Sequence, residues 1–154
     1  MTRRETPLDA ALVLRALDRR RVDYVLIGGL AVQAHGHVRT TQDVDVYPAG
    51  DAANLERLAA ALADLDARPR RSGAKALSAT PTHILETVAG GLDVHNRPPG
   101  AAPWAQVRSR AMMVEVAGVS VAVAGRDDLI AMKRAAGRPI DRGDVIALTE
   151  PETP

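Results

Sequence analysis

The sequence predicts an α/β fold in which a small mixed β-sheet carries helices against it and the C-terminus is helical. Three observations predict it. Short apolar runs rich in Val, Ile and Tyr alternate along the chain with longer stretches of helical periodicity. Glycine pairs and prolines fall between them, where strand must give way to helix or to a returning strand. Aromatic residues make up only 2% of the 154 residues, with no Phe, so Leu, Val, Ile and Ala must build the core. This length suits one domain, 1–154, divided into an α/β core over 1–125, C-terminal helices over 126–149 and a flexible tail over 150–154.

Taken in order, residues 8–20 place Leu8, Ala11, Leu12, Leu14 and Leu17 at helical spacing behind Thr6 and Pro7 as start signals. Residues 24–27 read as a strand. Gly28-Gly29 breaks it, and 30–34 resume as a helix. In Asp43-Val44-Asp45-Val46-Tyr47 the alternation is strict, which puts Asp43, Asp45 and Tyr47 on one face of a strand and the two valines on the other. A helix then starts at Asp51, runs through Leu55, Leu58, Leu62 and Leu65, and yields to a basic loop near Pro69. Residues 82–88 and 92–95 read as strands joined by a turn at Gly90-Gly91, with Asp93 and His95 sharing a face. A Pro-rich loop over 98–103, a short helix, and a hairpin of 112–116 with 119–123 turning at Gly118 follow. Helices over 126–136 and 141–148, separated by Gly137 and Pro139, close the fold.

Composition removes several function classes. Absence of Cys excludes disulfides, thiolate nucleophiles and thiolate metal sites, and fits a cytoplasmic protein. There is no apolar leader and no run of about eighteen apolar residues, so no membrane partner is expected. A net charge of +1 supplies no field for nucleic acid, and Trp104, Tyr24 and Tyr47 are too few for a base-stacking surface. Any RNA contact would rest on Arg19, Arg20 and Arg21 or on Arg68, Arg70, Arg71 and Lys75, for which solvated surface is the plainer reading.

Chemistry is concentrated in the carboxylates. Residues i and i+2 on a strand have Cα atoms about 6.6 Å apart and parallel side chains, so both can reach ions lying roughly 3.5 to 4 Å apart. Asp43 and Asp45 meet this condition, and Asp93 arrives on another strand with the same alternation. Oxygen ligands with no Cys and no spaced histidine set select Mg²⁺ or Mn²⁺ over Zn²⁺, and such ions accompany phosphates. The glycine pair lies at a strand-to-helix turn, where backbone without Cβ atoms can approach phosphate oxygens, although a tight turn alone would also explain it.

The run 27–47, with Gly28-Gly29 followed by Arg39-Thr40-Thr41-Gln42-Asp43-Val44-Asp45, resembles the nucleotidyltransferase superfamily signature, in the version typical of AbiEii-like and MenT-like bacterial toxins. The resemblance implies a minimal nucleotidyltransferase fold in which Asp43 and Asp45 bind two metals, Asp93 binds the catalytic one and helps activate the acceptor hydroxyl, and Gly28 and Gly29 cradle the triphosphate of an NTP. Many relatives carry Ser where this chain has Gly29, so a hydroxyl contact to phosphate is missing here. It further implies transfer of an NMP group to a hydroxyl of RNA, such as the tRNA 3′ end, or of a protein, within a toxin–antitoxin pair whose other half would be a partner. Lincosamide-type antibiotic adenylyltransferases share Gly-Gly with Asp-x-Asp, and a minimal-nucleotidyltransferase antitoxin acting on a protein partner is a third reading.

Arg39 and Thr41 precede the Asp-x-Asp strand closely enough to border the nucleotide pocket, although pairing with a surface carboxylate would equally explain Arg39. The segment Lys133 to Asp141 resembles the Lys…Arg-x-x-Asp stretch of the same toxin-like proteins, which leaves Lys133 as either a phosphate contact or a solvated helix lysine. For Arg138 with Asp141 a structural pair leads. Tyr47 and His95 fit strand-end packing better than substrate contact, His83 reads as a core or edge residue, and His35 with His37 makes at most a weak metal site.

Overall fold

The computed structural model describes residues 6–70, 77 and 80–150. Its order is α1 (Ala10–Arg19), β1 (Tyr24–Ile27), α2 (Gly28–Ala34), β2 (Asp43–Pro48), α3 (Ala52–Asp64), β3 (Arg68–Pro69), β4 (Thr82–Thr87), β5 (Gly90–His95), α4 (Trp104–Ser109), β6 (Met112–Val116), β7 (Val119–Val123), α5 (Arg126–Ala136) and α6 (Pro139–Thr149). The strands form one seven-stranded sheet in the order β3-β4-β5-β2-β1-β7-β6. It is mixed: β2 runs parallel to β5 and β1 parallel to β7, while the other neighbours are antiparallel. The expected α/β architecture with a helical C-terminus is therefore the observed one.

The sheet is held by its apolar face. Val44, Val46, Leu92 and Val94 are fully buried, as are Val25 and Leu26 on β1. Helix α1, capped by the Asp9 carboxylate on the Leu12 N–H, turns Val13, Leu14 and Leu17 inward and touches β2, β7 and α3. Each such side chain contributes roughly 1.5 to 3 kcal/mol by leaving water. No helix among the described residues is long and apolar enough to cross a membrane.

Local expectations change in several places, among them α2, which takes in Gly28 and Gly29 where a break ahead of residue 30 is expected. Helix α1 starts after Asp9 rather than at Leu8, because the Asp9 carboxylate caps it. The turn between β4 and β5 lies at Val88-Ala89, with Gly90 and Gly91 already in the strand; Gly90 has φ +104 and a Cβ there would meet the Leu8 Cα at 2.8 Å. Arg68 and Pro69, expected in a loop, pair with Glu86 and Leu85 as a short edge strand. Helix α6 begins at Pro139, since proline suits a first helical turn whose N–H needs no partner.

One buried polar residue ties three elements together. Asn54, fully buried near the start of α3, accepts from the Asp23 N–H at 2.7 Å and donates to the Asp23 and Ala49 carbonyls at 2.8 Å each. Its removal would leave backbone groups at the ends of β1 and β2 without partners. Asn54→Ala should therefore destabilise the protein by about 2 to 4 kcal/mol in equilibrium denaturation, at the upper end of what unsatisfied buried groups cost, while metal binding by the folded protein stays at the wild-type level.

Candidate active site

Register places the carboxylates. The parallel pairing of β2 with β5 sets Asp45 directly opposite Asp93 and Asp43 opposite Gly91. Side chains of directly opposed residues share a sheet face with Cβ atoms about 5 Å apart, so Asp45 and Asp93 converge. Asp43 stands two residues away on that face, beside a neighbour with no side chain. The sequence expected these three to meet, and all three line one cleft of about 430 Å³.

A fourth residue joins them. His95, two places beyond Asp93, brings Nε2 within 2.8 Å of Asp45 Oδ1. Ligand atoms of Asp45, Asp93 and His95 all lie within 4.8 Å of one another. Strand-end packing is thus not the place His95 takes: it bonds a carboxylate of the cleft and, with Asp45 and Asp93, forms a group that could hold a metal ion. Burial pushes the Asp45 carboxyl up, but the His95 hydrogen bond and charge, Asp43 and the Lys133 ammonium outweigh it and hold the group below the usual carboxylate range. Gathered carboxylates of this kind fit a divalent cation, whose charge removes their mutual repulsion.

The glycine pair works by absence of Cβ atoms. Gly28 has φ +73, and a Cβ there would lie 2.7 Å from the Asp45 Cβ and Cγ. At Gly29 φ is not positive; a Cβ would run into the Arg39 guanidinium and come within 2.9 Å of Thr41 Oγ1. Conformational need thus falls on Gly28 and close approach on both. Thr41 donates its hydroxyl to the Asp43 carbonyl at 3.1 Å, which fixes the entry into β2.

The C-terminal helices deliver cations to the same cleft. Lys133, on α5, is buried rather than solvated, with Nζ 3.2 Å from Asp141 Oδ1 and 3.0 Å from Asp144 Oδ2. Arg39 Nε donates to Asp144 Oδ1 at 2.9 Å. Arg138 donates from its backbone and side chain to Asp141, the structural pair expected, and its guanidinium is also favoured by Asp45 and Asp43. Burial pushes the Asp141 carboxyl up, yet the hydrogen bonds from Arg138 and Lys133 hold it below its usual range. Pro98, Pro99, Leu129, Met132, Ala136 and Ile140 also line the cleft, four of them on the same two helices as Lys133 and Asp141.

Other candidates fall elsewhere. Tyr47 is buried, donates its hydroxyl to the Ala102 carbonyl at 3.1 Å and accepts at its own carbonyl from Trp104 Nε1 at 2.8 Å, so it is a packing residue. His83 Nε2 lies 3.0 Å from Thr80 Oγ1 and from the Leu77 carbonyl. His35 is bonded to the Ala124 carbonyl, and among the described residues neither it nor His37 belongs to a cluster able to hold a metal. In the basic regions, Arg20 pairs with Asp64 at 2.7 Å, Arg68 with Asp66 at 3.5 Å and Arg70 with Glu86 at 3.8 Å. Arg71 and Lys75 lie outside the described residues.

Comparison with known proteins agrees with this geometry. The model of DUF6036, a nucleotidyltransferase family of unknown function, matches residues 8–149. No curated protein sequence matches the chain at a significant level. Among solved structures, the lincosamide antibiotic adenylyltransferase LnuA bound to lincomycin superposes with a TM-score of 0.67 at 16% identity, over 94% of this chain and 99% of that one. The antibiotic-resistance factor ANT(2″)-Ia in complex with adenylyl-2″-tobramycin gives 0.59 at 18% identity, over 88% and 83%. At such identities the likeness is one of fold.

Two outcomes are expected. Gly28→Ala should weaken Mn²⁺ binding at least tenfold in calorimetric titration, because the new methyl strains the backbone and displaces Asp45. Asp141→Asn should cost about 3 to 5 kcal/mol near neutral pH by leaving Lys133 and Arg138 short of a buried partner. Because the folded Asp141 carboxyl lies below its unfolded value, its contribution is complete above the ordinary carboxylate pKa of about 4 and is lost as pH falls through the lower folded value. Denaturation of both proteins across a pH series should therefore show the gap closing on the acid side only.

Proposed function

The chain belongs to the DUF6036 family of nucleotidyltransferases, and on that premise we propose that it moves an NMP group from an NTP to an acceptor hydroxyl, with Mg²⁺ or Mn²⁺ held by Asp43, Asp45 and Asp93. The observation that carries this reading is the in-register opposition of Asp45 and Asp93. Bound divalent ions would supply charge neutralisation of the triphosphate and a lowered pKa for the attacking hydroxyl.

The chain's own residues account for the rest. Asp43, Asp45 and Asp93 share one sheet face, and on this reading Asp93 accepts the proton of the acceptor hydroxyl. Gly28 and Gly29 keep the cleft floor free of side chains, Arg39 and Thr41 border it, and Lys133 stands buried at its wall as a cation for phosphate oxygens. Attack of the hydroxyl oxygen on the α-phosphorus forms the new P–O bond while pyrophosphate leaves with the electrons of the broken one.

For the acceptor, the apolar residues that line the cleft support a small hydroxyl compound with an apolar part, as lincomycin has and the polycationic tobramycin lacks. The pairing of Arg20, Arg68 and Arg70 with carboxylates weighs in the same direction, since it leaves these arginines partly neutralised toward a polyanion. A second reading, an RNA 3′ end or a protein hydroxyl within a toxin–antitoxin pair, is favoured by the Arg39-Thr40-Thr41-Gln42-Asp43-Val44-Asp45 run.

Purified protein with each α-³²P-labelled NTP and Mg²⁺ should label a compound in a mixed panel of aminoglycosides and lincosamides, and Asp45→Ala should reduce labelling at least a thousandfold at equal folded concentration. Label in RNA or protein instead selects the second reading. Wild-type activity in Asp45→Ala sinks the metal assignment.

A further inference from the structure

Asp144 belongs to none of the motifs that mark the cleft, yet two cations from separate elements converge on it. It is buried on α6, with 5% of its surface exposed. Oδ1 accepts from Arg39 Nε at 2.9 Å, across 105 residues of sequence. Oδ2 lies 3.0 Å from Lys133 Nζ and accepts no hydrogen bond from a described residue. Arg39 is fixed at a second point, since Nη1 donates to the Thr40 carbonyl at 3.0 Å, and its guanidinium occupies the space a Cβ on Gly29 would fill. Its Nη2 has no hydrogen bond to any described residue.

An arginine held at Nε and Nη1 has its plane set, and the remaining nitrogen becomes a directed donor. Without Asp144, Arg39 and Lys133 would repel each other, and a flexible guanidinium would be free to swing to solvent. We propose that Asp144 is a positioning residue for the nucleotide: it fixes Arg39 over the Gly28-Gly29 turn and holds Lys133 beside it, so that both cations face the triphosphate before it arrives. This rests on the cleft being a nucleotide site. The recognised group is a chain of phosphates with divalent cation, and α6 thereby becomes part of the nucleotide subsite.

The test is a double-mutant cycle read as nucleotide affinity. Wild type, Asp144→Asn, Arg39→Gln and the double variant are titrated with the α,β-methylene analogue of each NTP in the presence of Mn²⁺, alongside Mn²⁺ alone and denaturation curves. Each single substitution should weaken the preferred analogue about tenfold or more, the double should be no weaker than the worse single, and Mn²⁺ alone should bind within twofold of wild type. Losses that multiply in the double variant, or an Asp144→Asn protein that binds nucleotide normally while losing stability, would overturn the proposal and reduce the pair to a structural tie. If Asp144→Asn does not fold, Arg39→Lys serves, because it keeps the cation but lacks the planar fork; a tenfold loss is expected and wild-type affinity overturns the proposal. Wild-type protein that binds none of the four analogues defeats the nucleotide reading itself, and with it this proposal, whereas binding with multiplying losses defeats the proposal alone.

Discussion

Asp45 stands opposite Asp93 because β2 and β5 run parallel in register, and two carboxylates held that close repel unless a positive charge lies between or beside them. Much of the molecule answers this constraint. The part of the sheet face that bears them is left open as a cleft, although Val25 and Tyr47 are buried farther along that face, and on the other face Val44, Val46, Leu92 and Val94 are fully buried. Gly91 opposite Asp43 leaves room on the acidic face. Gly28, in a left-handed conformation, lets the backbone pass against Asp45 where any side chain would collide. His95 supplies a hydrogen bond to Asp45 from the strand that already carries Asp93.

The C-terminal helices provide the compensating charge at a distance. A buried lysine is costly to desolvate, and Lys133 is tolerated because Asp141 and Asp144 flank its ammonium. Asp141 does more than pair: it accepts from the Arg138 backbone N–H and so caps α6 as well as neutralising Lys133. One carboxylate thus starts the helix and anchors it to the cleft, which couples the position of α6 to the charge state of the site. The arrangement explains why these helices lean on one another, α5 also on α2, rather than extending away from the sheet.

How much of this was legible in the sequence depends on distance along the chain. Strict alternation from Asp43 to Tyr47 revealed which residues share a face, because a strand's period is local. The glycine pair and the hairpin at Gly118 were readable for the same reason, whereas α1, α2 and α6 start two residues from where the pattern put them. Tyr47 broke the pattern: it shares the alternation of the carboxylates, but at the strand end it turns to the Ala102 carbonyl and is buried. Partners were the illegible part. His95 bonds across 50 residues and Arg39 across 105, and nothing in either local pattern announces a contact made by tertiary packing. Lys133 shows the limit well, since an exposed and a buried lysine look identical on a helix until the neighbouring helix supplies Asp141 and Asp144. The two-residue strand at Arg68-Pro69 was hidden by its proline, which suits an edge position and so reads as loop.

The charges that meet at the cleft bear on what it can hold. Asp43, Asp45, Asp93, Asp141 and Asp144 outnumber Arg39, Lys133 and Arg138, so the region is acidic despite its ion pairs. A triphosphate approaching alone would find cations on one side and a net repulsion overall. Divalent ions on the carboxylates reverse that balance, and the reversed charge is what a polyphosphate complements. On the proposed reading Arg39, Lys133 and Arg138 keep their pairs with Asp144 and Asp141 and meet the phosphates already oriented, once divalent ions have offset the acidic face. On the proposed reading, the same cluster that repels free triphosphate selects the metal complex of it. On that reading, selectivity for a metal-bound nucleotide over other anions is built into the excess of aspartate over arginine and lysine.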